Sequence, residues 1–551
     1  MVEIITFIID LLIIAGVVFA VLFIRKRLSQ HPGRKYMPIA FFILFGIIIV
    51  ASSATVIYST KNLPKDYKTH ISSKILIQPY DILKTPVSLV YADELQNNPS
   101  KSGAMLIKSG KVSFLHRIAL VRMACHSIEL QTYIYENDVT SRILMHEMKL
   151  AADRGVKVRI LVDDNGLSSD TSDIMTLNYH PNIQVKVFNP YKYRSKILKY
   201  PQFLFNISRL NYRMHNKLFI VDSSAVIIGG RNIASNYFDD SSRLNFSDTD
   251  VLFIGKLAQD ALASFNEYWT YHKSIPVDVF PNHNNPDELH ILDKEITEKS
   301  IYYQQEQEIL DKALELFIKS FNEKKFPVYW GSSKLIADSP AKAEGGNFTS
   351  PIIDAVDGLL LEAKKSIYIS SAYLVPGKKG TNDLINAEKR GVNINILTNS
   401  LSSTDAKVVY SGWDRYRDDL VANGINVYEF RNEGYKIYNR RNSGASLHSK
   451  TIVVDDKISW IGSFNLDGRS AIYNTEVITA FFNEDFAKLL KEAMEKDMSE
   501  YISWHLYTKD GKTYWKTYRN GKEITKSHIP DTSLLMRIMA FVLKIVPEKL
   551  I

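Results

Sequence analysis

Cysteine is almost absent. Cys125 stands alone among 551 residues, which excludes an intramolecular disulfide and any zinc site built on a cysteine pair. The thirteen histidines contain no H-E-x-x-H run and the carboxylates no calcium-loop pattern, so neither a metal nor another cofactor is expected. A cysteine-poor chain suits either side of a membrane, and the redox compartment stays open. Cys125 closes the apolar, helix-like stretch 118–125 and reads as a small core residue. The beginning of the chain, Met1-Val2-Glu3, lacks a basic n-region, and no small-residue cleavage site precedes Arg25. A removable signal peptide is therefore not expected.

Long apolar runs are confined to the first sixty residues. Residues 4–24 and 37–58 are nearly continuous apolar sequence, long enough to cross a hydrocarbon core of ~30 Å as helices. Arg25, Lys26, Arg27, Arg34 and Lys35 crowd the loop between them, whereas Lys61, Lys65 and Lys68 follow more sparsely. The positive-inside rule puts that loop in the cytoplasm and the rest of the chain on the outer, periplasmic face. With 45% hydrophobic and 11% aromatic residues, the remainder has material for two core-forming domains.

What is abundant is internal repetition. His215-Asn-Lys217-Leu-Phe-Ile-Val-Asp222 and His448-Ser-Lys450-Thr-Ile-Val-Val-Asp455 share the spacing H-x-K-x4-D. Each is followed at one distance by a Gly-rich tetrad, Gly229-Gly230-Arg231-Asn232 and Gly462-Ser463-Phe464-Asn465. One triplet would be weak evidence, but two with matching tails describe a duplicated half-site. The repeat extends outward: Ser127 to Tyr133 parallels Ser366 to Tyr373, Arg154-Gly155-Val156 parallels Arg390-Gly391-Val392, and Asp248-Thr-Asp250 parallels Asn474-Thr-Glu476.

A strand period of two puts His215 and Lys217 on one face and Asp222 on the other. An imidazole can attack phosphorus or deliver a proton, and a neighbouring ammonium holds a phosphate oxygen. The candidate catalytic set is therefore His215, Lys217 and Asp222 with His448, Lys450 and Asp455, each Asp being structural rather than proton-handling. Asn232 and Asn465 are candidate phosphate donors, since Gly-Gly and Gly-Ser let the backbone approach closely. Asp250 and Glu476, one carboxylate after each histidine, are candidates for orienting the imidazoles.

These residues resemble the phospholipase D superfamily, whose HKD motif positions 215–232 and 448–465 spell out. Within it the chain looks most like bacterial cardiolipin synthases of the C-type group. Gln131-Thr-Tyr133-Ile-Tyr135-Glu-Asn137-Asp138, Arg213-Met-His215, Asp248-Thr-Asp250-Val and Ala337-Asp338-Ser-Pro340-Ala-Lys342 carry that resemblance, with Thr132 departing from the usual aromatic doublet. It implies a metal-free two-step transfer through a phosphatidyl-histidine. His215 would be the nucleophile and His448 the acid and base, with Lys217, Lys450, Asn232 and Asn465 on the phosphoryl oxygens. The implied substrates are phosphatidylglycerol with a second phosphatidylglycerol or phosphatidylethanolamine, at the bacterial inner membrane. No nucleic acid is expected, and a helper protein is left open. Hydrolysis of phospholipids by the same residues, and a membrane-tethered nuclease, are the alternatives.

The expected fold is α/β: two phospholipase D-like halves around one cleft, each with a mostly parallel sheet, preceded by two transmembrane helices. The divisions are 1–60 for the transmembrane hairpin, 61–284 and 326–530 for the halves, 285–325 for a solvated helical bridge, and 531–551 for a tail. Tyrosines interleave with cations at 191–200 and 435–441, a composition suited to anionic headgroups. Residues 534–546 are mostly apolar, with Arg537 and Lys544 seven apart on one helical face, and read as an interfacial amphipathic helix.

Overall fold

The computed structural model describes residues 74–167, 172–191, 202–203, 206–280, 301–346, 348–434 and 443–551. The apolar segments 4–24 and 37–58 and most of the tyrosine- and cation-rich stretches lie outside the described residues. Among the described residues no helix is long and apolar enough to cross a membrane. The chain divides into two compact units. The smaller takes in residues 191–211, and the short helix Ile207–Leu210 is its described element. Both halves lie in the other unit, within Thr69–Pro190 and Tyr212–Ile551.

Each half repeats one sheet order. In the first, Ser127–Thr132, Lys157–Asp163 and Ile183–Phe188 pair in parallel. Leu218–Val221, Ala225–Gly229, Asp250–Gly255 and Ser102–Ile107 continue antiparallel from Ser127–Thr132. The second repeats this with Ser366–Ser371, Asn393–Asn399 and Asn426–Phe430 in parallel. Lys450–Val454, Ile458–Gly462, Val477–Phe482 and Tyr329–Ala337 follow antiparallel. The sheets are therefore mixed, not mostly parallel. The cause is local: each motif strand folds straight back on the next as a hairpin, and a hairpin is antiparallel.

The third residue of each motif makes that hairpin. Asp222 and Ser223 take φ 49° and 52°, and Asp455 and Asp456 take 54° and 56°. Ser224 N–H donates to Val221 O at 3.1 Å, and Lys457 N–H to Val454 O at 3.0 Å. Two successive left-handed residues inside such a bond form a type I′ turn, a conformation that Asp tolerates better than most residues. The Asp222 carboxylate also accepts from the backbone N–H groups of Cys125, His126 and Ser127 at 3.0, 2.7 and 2.8 Å. Asp455 does the same for Lys364, Lys365 and Ser366. Both residues thus make turns and hold backbone N–H groups. Asp222→Asn keeps the turn but weakens these charge-assisted bonds. It is expected to cost about 1–3 kcal/mol of stability, read as a lower thermal midpoint, with turnover of the folded protein retained.

Cys125 differs from its expected place. The helix Gly110–Met123 ends before it, and Cys125 is exposed. Partial burial of the thiol and the Asp222 carboxylate 3.3 Å away push it up to about 12, so it stays a protonated, unreactive thiol.

The halves share one core. Leu218, Val226 and Phe253 cluster with Leu397, Val453 and Phe481, and the apolar faces of helices Lys256–Thr270 and Glu484–Met498 complete the cluster. Edge to edge, Ser102 to Ala104 pair with Tyr329 to Gly331. The bridge helix Ile301–Asn322 is less solvated than its charge suggests. Leu314 and Phe321 are buried, and Asp311 pairs with Arg122 at 2.6 Å.

The tail forms the helix Leu534–Leu543, capped by Ser533, whose hydroxyl accepts from Met536 N–H. Its polarity is turned inside out. Lys544 reaches inward to Asp414 at 2.6 Å, while Leu535, Phe541 and Ile545 are 75%, 72% and 86% exposed.

Candidate active site

Two short ribbons tie the halves together at the site. Arg213–Met214 pairs in parallel with Asn474–Thr475, and Leu244–Ser247 with Gly444–Leu447. The backbone therefore changes partner at each histidine. His215 N–H donates to Thr475 O at 2.9 Å, His448 N–H to Ser247 O at 2.8 Å, and the sister-strand ladder resumes only after them. A continuous strand over 215–222 is not what forms: His215 to Lys217 lie between two strands. This exchange moves each histidine out of its own sheet and toward the opposite half.

The consequence is a crossed pair of dyads. His215 Nδ1 lies 2.9 Å from both carboxylate oxygens of Glu476, which belongs to the second half. His448 Nδ1 lies 2.7 Å from Asp248 Oδ2, which belongs to the first. A carboxylate facing Nδ1 favours the proton there and leaves Nε2 as the basic nitrogen, while Lys450 Nζ also stands 3.2 Å from His448 Nδ1. Both imidazoles, Lys217 and Lys450 are buried, and Glu476 and Asp248 are fully so.

Asp250 is not the partner that the repeat alignment suggests. It pairs with Arg117 at 3.0 Å and accepts from the Ser113 hydroxyl at 2.6 Å, away from both imidazoles. Asp248, two residues earlier, takes the role. The exchange is compensated in the tetrad: a Cβ on Gly230 would stand 2.4 Å from the Asp248 carboxylate. The corresponding Ser463 instead donates its hydroxyl to Glu476 Oε2 at 2.5 Å. The difference between Gly-Gly and Gly-Ser was the sequence signal that could have found Asp248.

Glu476 is braced further. The Ser470 hydroxyl donates to Oε1 at 2.9 Å, and Glu476 N–H donates to Asp338 Oδ2 at 3.1 Å. Asp338 in turn accepts from Lys342 Nζ at 2.8 Å and from the Ser350 hydroxyl at 2.5 Å. The Ala337 to Lys342 segment is thus a support for the His215 carboxylate. Arg213 meets Asp163 at 2.6 Å in a buried ion pair that anchors the residue before the first motif.

Lys217 Nζ donates to His215 O at 2.7 Å, and Lys450 Nζ likewise to His448 O. The Tyr133 ring stands edge-on to His215 at 5.1 Å, and Tyr237 to His448 at 5.0 Å. Asn232 is engaged with its own half: its Oδ1 accepts from Ile134 N–H at 3.1 Å, and its amide donates to the Tyr237 hydroxyl at 2.8 Å. Asn465 is buried, and its Oδ1 has no partner among the described residues.

The electrostatics suit an anion. Burial pushes His215 down to about 4, against the opposing pull of Glu476, and Lys217 down to about 7. His448 is lowered by burial and by Lys450, and Lys450 is lowered by burial. Burial works to raise Glu476 and Asp248, yet the facing imidazoles and nearby lysines bring both below the usual carboxylate range. The site therefore offers an anion two desolvated lysines and two imidazoles whose protonation burial disfavours. Among the described residues no cluster of side chains could hold a metal ion.

Two halves of one α/β fold, each offering a buried lysine and an imidazole held by the other half's carboxylate, match the two-motif pattern of the phospholipase D superfamily. The family described as "Cardiolipin synthase, PLD-like domain" matches residues 118–269 and 357–498. Cardiolipin synthase C of Escherichia coli is 33% identical over 464 residues, 82% of this chain and 96% of that protein. An uncharacterized Helicobacter pylori protein is 45% identical over 489 residues, 88% of this chain and 96% of that one. The phosphatidylserine synthase structure from Haemophilus influenzae shares the fold, with a TM-score of 0.50 at 12% identity over 74% of this chain and 89% of that one. This chain belongs to the cardiolipin synthase family of phospholipase D-like proteins, and it is a phosphatidyltransferase of that superfamily.

Proposed function

We propose that this protein makes cardiolipin, transferring a phosphatidyl group from phosphatidylglycerol or phosphatidylethanolamine to the free glycerol hydroxyl of phosphatidylglycerol. The observation that supports the reading is the crossed pair of dyads, in which each imidazole meets a carboxylate of the other half through Nδ1. His215 Nε2 attacks phosphorus while His448 gives a proton to the departing headgroup oxygen, so a P–N bond forms as a P–O bond breaks. The acceptor hydroxyl then attacks, its proton passes to His448, and the P–N bond breaks. Lys217 and Lys450 hold the phosphoryl oxygens in both steps. Glu476 stabilises the charge that builds on His215.

The enzyme acts at the bacterial cell membrane, held by residues 4–24 and 37–58, with its catalytic region on the outer face. The outward apolar face of helix Leu534–Leu543 adds an interfacial contact. Leu535→Asp with Phe541→Asp is expected to lower kcat/KM on phosphatidylglycerol vesicles at least tenfold, without changing the thermal midpoint. The functional reading is tested by incubating the protein with phosphatidylglycerol and phosphatidylethanolamine vesicles in EDTA and measuring lipids by mass spectrometry. Cardiolipin supports transfer. Phosphatidic acid in its place would make the protein a hydrolase, and unchanged lipid would overturn both.

A further inference from the structure

The second half holds an apolar cavity of about 290 Å³ that the transfer chemistry does not use. Ile353, Val356 and Leu360 of helix Pro351–Glu362 form one wall, and Leu384, Phe464 and Leu466 face them. Lys379, Ile472 and Lys549 are the exposed lining residues and mark its mouth. Inward, a void of about 20 Å³ shares Val356, Ile369, Ile452, Phe464 and Leu466 with the cavity, and Lys450 is among its lining. Only the shared side chains of Val356, Ile369, Ile452, Phe464 and Leu466 therefore stand between the cavity and the void that Lys450 lines.

From these observations we infer that the cavity binds one acyl chain of a phospholipid whose phosphate is engaged by Lys450. The inference rests on the reading of the protein as a phospholipid transferase and names where that substrate's chain goes. Three features select this occupant. The wall is mainly apolar, from Ile353, Val356, Leu360, Leu384, Phe464 and Leu466, as a hydrocarbon chain requires, with Asp357, Lys379, Asp467, Glu548 and Lys549 as its charged members. Behind its inner wall, in the adjoining void, stands the buried Lys450, a cation complementary to a phosphodiester. The mouth includes the C-terminal segment: Glu548 and Lys549 line it, and Ile551 O accepts from Arg469 N–H at 2.9 Å. That segment continues directly from the helix whose apolar face is outward, so the cavity opens beside the part of the surface best suited to touch a lipid bilayer.

The test is chain-length dependence. Ile353→Trp and Val356→Phe project bulk into the cavity from a helix that carries no catalytic group. Rates are compared on dihexanoyl and dioleoyl phosphatidylglycerol, for wild type and each variant, after thermal melting confirms folding. The long-chain to short-chain ratio of kcat/KM is expected to fall at least tenfold in both variants. An unchanged ratio in both overturns the inference.

A binding readout separates this from the functional reading. Trp460 lines the inner void, so phosphatidylglycerol with brominated chains is expected to quench a fluorescence component that Trp460→Phe removes and Val356→Phe suppresses. If wild type transfers nothing but that component is present, the cavity assignment stands and the transferase reading falls. If wild type makes cardiolipin and the Trp460 component is absent, the cavity assignment falls alone.

Discussion

Replacing His215 with alanine is expected to lower phosphatidyl transfer by about 10⁴-fold or more, because it removes the atom that forms the covalent bond to phosphorus. His448→Ala should cost a similar factor on natural lipids, for a different reason: without an acid the headgroup oxygen must leave as an alkoxide. A phosphatidyl p-nitrophenyl ester separates the two roles, since its leaving group needs no proton. With this substrate His448→Ala should give a burst of about one nitrophenolate per enzyme and then stall, leaving an acid-labile phosphatidyl adduct on His215 by mass spectrometry. His215→Ala should give no burst. A burst from His215→Ala and none from His448→Ala would reverse the assignment.

The second large effect comes from the crossed carboxylates. Glu476→Gln keeps the shape of the side chain but lets its amide donate where only an acceptor suits His215 Nδ1–H, so the imidazole loses both its tautomer and its charge stabilisation. A loss of about 10³ to 10⁴ in kcat is expected, and Asp248→Asn should behave similarly through His448. The pH profile distinguishes this from a packing defect. In the free enzyme the nucleophile must be unprotonated, and His215 titrates at about 4. The phosphate-binding and acid groups must keep their protons, and Lys217 loses its own at about 7, with His448 shifted in the same downward direction. The profile of kcat/KM should rise through about 4 and fall before about 7, because the lowered His448 gives up its proton ahead of Lys217. The Glu476 charge raises the His215 value, so Glu476→Gln should move the acid limb lower still. An unchanged acid limb in that variant would falsify the proposed dyad.

The duplicated site was legible because its signals are local. A fixed spacing and a glycine-rich tail, repeated, singled out His215, Lys217, His448 and Lys450, and all four are buried. Asp222 and Asp455 read as structural, and both make turns. Sheet direction was not legible. The apolar runs announce strands, but whether a strand continues in parallel or folds back is decided by two residues of turn geometry, here Asp222-Ser223 and Asp455-Asp456. The tail showed its composition but not its orientation: Arg537 and Lys544 share a face, yet Lys544 meets Asp414 from a distant segment and turns the apolar side outward.

Taken alone, then, the sequence determined that the chain carries a duplicated motif and which imidazoles and ammonium groups belong to each copy, since a repeated spacing is a property of neighbours. Only the tertiary structure decided which carboxylate serves which histidine. Glu476 meets His215 across 261 residues and Asp248 meets His448 across 200. A repeat aligned with itself matches each carboxylate to the histidine of its own copy. The backbone instead exchanges partners between halves at each histidine, and that exchange follows from how two sheets pack, which no residue spacing records.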